Sequence, residues 1–153
     1  MPQRTLLAAM AIAGGLVLAA CGPSGPTASS SRSAAAATAT PTHLVDGQET
    51  ARGRFTGRSG HETSGHASVF WDGRNWVVSL ASDFFFDGAP DPVIGFGNNG
   101  EFDTATILGP LESDTGAATF IVPASIDVGD YNQIYVWCEL FAVPLGAADL
   151  TLL

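Results

Sequence analysis

An all-β fold, an antiparallel β-sandwich or a barrel-like domain, is what residues 46–153 of this 153-residue chain predict. Three observations point there. Short runs rich in β-branched and aromatic residues recur at close spacing. The breaks between them carry Asp72-Gly73, Asp87-Gly88, Asn98-Asn99-Gly100, Ser113-Asp114-Thr115-Gly116 and Val128-Gly129-Asp130, several of which favour the positive-φ geometry of tight hairpins. No stretch of these residues shows a convincing amphipathic helical period.

The chain opens MPQRTLLAAMAIAGGLVLAAC. Arg4 and the terminal amine precede an apolar stretch, Leu6–Ala20. That stretch is shorter than the roughly 20 residues a membrane-spanning helix needs, so a secretory signal over residues 1–20 is expected. Its end, Leu18-Ala19-Ala20-Cys21, resembles the bacterial lipobox. The resemblance implies cleavage before Cys21 and a diacylglyceryl group on its thiol. Several acyl chains at one residue hold a protein stably on a membrane where a single chain binds only marginally. The expected partner is therefore a lipid bilayer, and the expected location is the extracytoplasmic face of a cell membrane. The alternative is an ordinary secretory signal with an incidental cysteine after it.

Residues 21–45 follow as a tether rich in Gly, Pro, Ser, Thr and Ala, without Phe, Trp or Tyr. Such a segment buries too little surface to offset its ordering entropy and is expected to stay flexible. Ala34–Ala37 is stopped within a turn by Thr38, Thr40 and Pro41.

Within the domain the predicted runs are Ala51–Arg58, His66–Trp71, Trp76–Ala81, Pro92–Gly97, Thr104–Leu108, Ala117–Val122, Gln133–Phe141 and Asp149–Leu153. By period two, Ile134, Val136, Cys138 and Leu140 form one apolar face for the core. Tyr135, Trp137, Glu139 and Phe141 form a partly covered outer face. A domain of this size can bury a core without a disulfide or a metal.

Charge narrows the function. All six cations are arginine, none lies beyond Arg74, and eleven carboxylates follow, within a net charge of −9. Such a surface repels phosphate and excludes nucleic acid as a partner of the folded part. Arg52, Arg54 and Arg58 share one strand face by parity; they read as a charged edge strand, or as a patch for anionic headgroups or an acidic partner. His61-Glu62-Thr63-Ser64-Gly65-His66 misses the zinc-protease pattern, because its histidines are five apart rather than four. No phosphate loop, EF-hand or nucleophile-elbow motif is present, so the chain reads as something other than an independent enzyme. Once Cys21 carries lipid, Cys138 is the remaining thiol. It packs as a small hydrophobe, serves as a redox thiol, or binds a haem iron as thiolate.

The residues resemble the DM13 domain family. The match runs through Gly53-Arg-Phe55, His61-Glu-Thr-Ser-Gly65, Phe86-Asp-Gly-Ala-Pro-Asp-Pro-Val93, Leu108-Gly-Pro-Leu111, Gly116 and Phe120-Ile-Val-Pro123. It is strongest in Tyr131-Asn-Gln-Ile-Tyr-Val-Trp-Cys-Glu-Leu-Phe-Ala-Val143 and Gly146-Ala-Ala-Asp-Leu150. The resemblance implies a β-rich extracytoplasmic domain in electron transfer, whose cysteine acts as a bare thiol or a haem ligand. That cysteine corresponds to Cys138, the family histidine to His61, and an aspartate to Asp91. The chain departs from the family at Gly88-Ala-Pro-Asp-Pro92, with an extra alanine and a second proline, and Pro144 is expected to force a bulge or an edge.

The expected function is thus a membrane-anchored domain with an electron-transfer or thiol redox role centred on Cys138. Haem is the one cofactor implied, with His61 as its second ligand, and the expected partner is a redox or cell-envelope protein. The alternative is a non-catalytic cell-surface binding module with Cys138 packed in its core.

Overall fold

The protein is described by a computed structural model covering residues 42–153. The expected signal peptide, Cys21 and most of the tether lie outside the described residues.

Twelve strands form, all paired antiparallel, and there is no α-helix among the described residues. They are β1 (Gln48–Gly57), β2 (Thr63–Ser64), β3 (His66–Trp71), β4 (Trp76–Leu80), β5 (Phe85–Phe86) and β6 (Pro92–Asn98). Then come β7 (Glu101–Phe102), β8 (Gly109–Pro110), β9 (Ala118–Ile121), β10 (Gln133–Cys138), β11 (Val143–Asp149) and β12 (Thr151–Leu152). Ten of them make one sheet in the order β7-β6-β10-β11-β1-β3-β4-β9, with β12 on β1 and β8 on β6. The sheet curls into a half-barrel, while β2 and β5 pair separately.

Its concave face holds the core. Ile94 and Phe96 of β6, Ile134, Val136 and Cys138 of β10, and Val78 and Leu80 of β4 are all essentially inaccessible. Phe55, Phe84, Phe86 and Leu145 complete the cluster. Each such large side chain contributes on the order of 2 kcal/mol by leaving water. The outer face of β10 is covered as well. Tyr135 pairs across from Gly95, and the Phe102 ring lies over that glycine, 5.6 Å from the Tyr135 ring and 4.6 Å from the stacked Trp137 ring. A Cβ at Gly95 would sit 2.8 Å from the Phe102 ring, so the cover requires glycine there.

Three expectations are corrected and one is met. The run Thr104–Leu108 is no strand: Thr104–Thr106 is a 3₁₀ turn capped by the Asp103 carboxylate, which accepts from the Ala105 N–H. The run Gln133–Phe141 ends at Cys138, so Leu140 stands on a turn, 60% exposed, instead of in the core. Behind that turn β11 returns between β10 and β1, and its register slips between Val136/Gly146 and Trp137/Pro144, the bulge that Pro144 implied. Lastly, β1 lies inside the sheet and not at its edge; Arg52 and Arg54 are exposed upon it, and Arg58 is exposed just past its end.

Residues ahead of 46 also pack against the sheet. The Thr42 carbonyl accepts from Ser82 N–H and Thr42 N–H donates to Ser82 Oγ. His43 lies edge-on to Phe70, its Nδ1 3.1 Å from Ser79 Oγ and its Nε2 3.3 Å from Ser68 Oγ. Ser68 in turn donates to Glu49 Oε1 at 2.6 Å. A neutral ring satisfies this chain throughout, with Ser79 donating to Nδ1 and Nε2–H donating to Ser68.

Burial holds the His43 pKa below its ordinary 6.5, against the opposing pull of Glu49 and Asp83. The docked ring binds fewer protons than the free one, so docking is present above about pH 6.5 and weakens as the pH falls below it. Amide exchange at Ser82, whose N–H is held by Thr42, is expected to rise on acidification from neutrality, after correction for intrinsic rates. In His43→Ala the same amide should exchange faster already at neutral pH and lose that dependence.

Candidate functional site

One end of the half-barrel gathers the residues singled out from the sequence. It is built on the loop from Asp87 to Asp91 that joins β5 to β6. At its start, Asp87 Oδ1 lies 2.8 Å from His61 Nδ1, and the His61 ring tilts against Phe86 at 5.7 Å. The carboxylate accepts, so Nδ1 carries the proton and Nε2 is left free. Backbone hydrogen bonding at Glu62 and the His61 ring hold the Asp87 carboxyl below the usual range.

At the far end of the loop, the Pro90 carbonyl lies 3.2 Å from Cys138 Sγ and accepts its S–H. The Asp91 carbonyl accepts from Glu139 N–H at 3.1 Å. On the other side Phe141 N–H donates to Sγ at 3.4 Å. Cys138 is therefore the last residue of β10, 1% exposed, enclosed by the Pro90–Asp91 segment and by the turn Glu139–Ala142. Leu140 and Phe141 stand out from that turn, 60% and 65% exposed. Among the described residues Cys138 is the single free cysteine.

The loop thus links His61 and Cys138 through Asp87 and Pro90, but no hydrogen bond joins the two directly. Asp91 is a turn residue between two prolines, at φ 46°. Its carboxylate is exposed, and it is the backbone that it contributes to the Cys138 enclosure.

A haem does not fit these residues. Its iron needs an accessible sulfur lone pair, and Sγ is buried with both its S–H and an acceptor position engaged. The neighbouring cleft of about 450 Å³ is lined by Asp91, Pro92, Val93, Pro110, Glu139 and Leu140, and does not reach Sγ. No group of three or more His, Cys, Asp or Glu side chains suited to a metal ion occurs among the described residues.

The turn over Cys138 is the part that sequence reasoning missed. Ala142 occupies it at φ 51°, where glycine is the usual residue. An L-residue in this region loses about 1 kcal/mol relative to glycine. Ala142→Gly is accordingly expected to raise stability by about that amount, read as a higher urea midpoint at unchanged slope. Because no Gly or Asn marked the position, no local signal announced a turn there.

The profile of the family described as Electron transfer DM13 matches residues 54–150. No curated protein and no solved structure matches the chain. The matched span runs from within β1 to just past β11 and takes in His61, Asp91 and Cys138. The half-barrel, with a lone thiol at one end closed over by a hairpin turn, belongs to the DM13 family.

Proposed function

We propose that the protein is a lipid-anchored, extracytoplasmic DM13 domain whose redox group is the Cys138 thiol, reached when the Glu139–Ala142 turn opens. The observation that carries this reading is the enclosure of Sγ by two hydrogen bonds, one of them from the short Glu139–Ala142 turn. The family's description as electron transfer supports the class of chemistry. The lipobox-like Leu18–Cys21 supports the anchor.

The step consistent with a single thiol is exchange with a partner's disulfide. The Cys138 sulfur bonds to one partner sulfur, the partner's S–S bond breaks, and its second sulfur leaves and takes up the proton Cys138 gives up. Atoms and electrons balance without a further oxidant. The partner is a redox or cell-envelope protein bearing a disulfide.

The near-complete burial of Sγ favours a second reading, a non-catalytic surface module with Cys138 as a packed residue. One measurement separates the two. In a Cys21→Ser background, Cys138 is titrated with an aromatic disulfide reagent across sub-denaturing urea. The redox reading expects a reaction faster than global unfolding and nearly independent of urea, because only the turn opens. It also expects Ala142→Gly, which steadies the turn, to slow the reaction several-fold. A rate that tracks global unfolding at every urea concentration would leave the packed-cysteine reading in its place.

A further inference from the structure

At the opposite end of the half-barrel from Cys138, two clefts meet. One, of about 430 Å³, lies between the tip of the β3–β4 hairpin and the segment after β9; Trp71, Arg74, Trp76, Ser125 and Asp127 line it. The other, of about 600 Å³, lies between the start of β1 and the segment leading into β10; Trp76, Asp127, Asp130, Tyr131 and Leu152 are among its walls. Trp76 and Asp127 belong to both, so the two are lobes of one groove, each of a size that suits a small-molecule unit.

The groove combines aromatic surface with separate polar groups. Trp71 is 38% exposed, and its ring centroid is 5.2 Å from that of Trp76 at 58°. Asp127 uses Oδ1 to cap Gly129 N–H. Asp130 and Arg74 are exposed at either end. Sequence reasoning singled out neither Trp71 nor Asp127.

The chemistry selects among ligands. A phosphate or other polyanion meets Asp127, Asp130 and a chain of net charge −9. A lipid tail would bury the Asp127 carboxylate at the junction of the lobes with one backbone N–H, that of Gly129, to offset its charge. An extended peptide is held by unpaired backbone groups, and four N–H groups of the wall are already engaged within the domain. Val122 N–H bonds to Trp76, Ile126 to Pro123, Asp130 to Asp127 and Tyr131 to Val128. A neutral sugar ring fits what remains: its C–H face is attracted to the negative face of an indole, and its hydroxyls donate to carboxylates and accept from a guanidinium.

We propose that this groove is a binding site for a neutral oligosaccharide, with one ring against Trp71 and Trp76 and the next beside Tyr131, across Asp127. It lies at the other end of β10 from Cys138, and its occupation is independent of the thiol chemistry. Cellohexaose, maltohexaose and chitohexaose serve as probes, each titrated into the full chain and followed by tryptophan fluorescence and calorimetry. At least one is expected to bind and shift the tryptophan emission. Trp71→Ala should weaken that binding about tenfold or more, equivalent to 1.4 kcal/mol, and Asp127→Asn, which keeps the cap on Gly129, should weaken it several-fold. Phe141→Ala, at the far end, should leave it unchanged, with near-UV dichroism confirming that each variant is folded. No binding by any of the three at millimolar concentration would overturn the proposal. So would binding indifferent to both groove substitutions, or a tryptophan response to laurate or to a basic peptide in place of the sugars.

Discussion

Gly65→Ala is expected to lower stability by at least about 3 kcal/mol, a large part of the 5–15 kcal/mol that ordinarily holds a domain together. Gly65 has φ 99°, a conformation that L-residues rarely adopt. An added Cβ would lie 2.5 Å from Phe84 Cα and 2.6 Å from the Asp83 carbonyl oxygen, both backbone atoms that cannot swing aside. The residue is also the kink through which the chain leaves β2, paired with β5, and enters β3 of the main sheet. Its carbonyl accepts from Phe55 N–H at 2.9 Å. Displacing it disturbs the β2–β5 pairing that sets His61 beside Asp87, so one change should act on both stability and the site. Urea denaturation is the measurement. A Gly65→Ala protein with the parental midpoint would show that the kink relaxes without penalty, contrary to the close contacts described.

Thr106→Val should cost about 2 kcal/mol, although the two side chains have nearly the same shape. Thr106 is 1% exposed, and its Oγ1 accepts from Phe96 N–H at 2.8 Å while lying 2.9 Å and 2.7 Å from the Phe96 and Asp103 carbonyls. The hydroxyl thus closes the outer side of β6 where no strand pairs with Phe96. The two carbonyls keep other donors, from Asp103 N–H and Thr106 N–H. Valine leaves the Phe96 N–H buried and unpaired, which is where the penalty arises. Thr106→Ser keeps the hydroxyl and should be closer to the parent than valine. Amide exchange at Phe96 supplies the local reading, and equal losses for valine and serine would assign the effect to packing.

The parts of the fold written in local patterns were legible. β3 spans His66–Trp71 as its β-rich run predicted, and β4 and β6 fall within a residue of expectation, because hairpin signals at Asp72-Gly73 and Asn98-Asn99-Gly100 bound them. The inward set Ile134, Val136 and Cys138 follows from period two alone. By contrast, β11 was hidden. Pro144 and the small residues Gly146, Ala147 and Ala148 read as poor strand formers, yet a Cβ at Gly146 would meet the Thr63 side chain at 2.7 Å. Thr63 donates to the Leu145 carbonyl, 82 positions along the chain, across that approach, so the small residue beside it answers to a neighbour distant in sequence. The same holds for Thr104–Thr106, whose turn depends on a hydroxyl reaching β6.

From the amino-acid order alone follow the all-β class, the lack of any cation beyond Arg74, and Cys138 as a core-facing thiol of a strand; that the strand stops at Cys138 does not. These rest on composition and on the two-residue period, which are properties of neighbours along the chain. Tertiary structure alone decided what surrounds that thiol. The Pro90 carbonyl arrives from 48 residues away and the Phe141 amide from a turn that no glycine marks. It was likewise the curl of the sheet that set Trp71, Trp76, Asp127 and Tyr131 along one groove, since residues this far apart in sequence meet only when strands from both halves of the chain close on a common core.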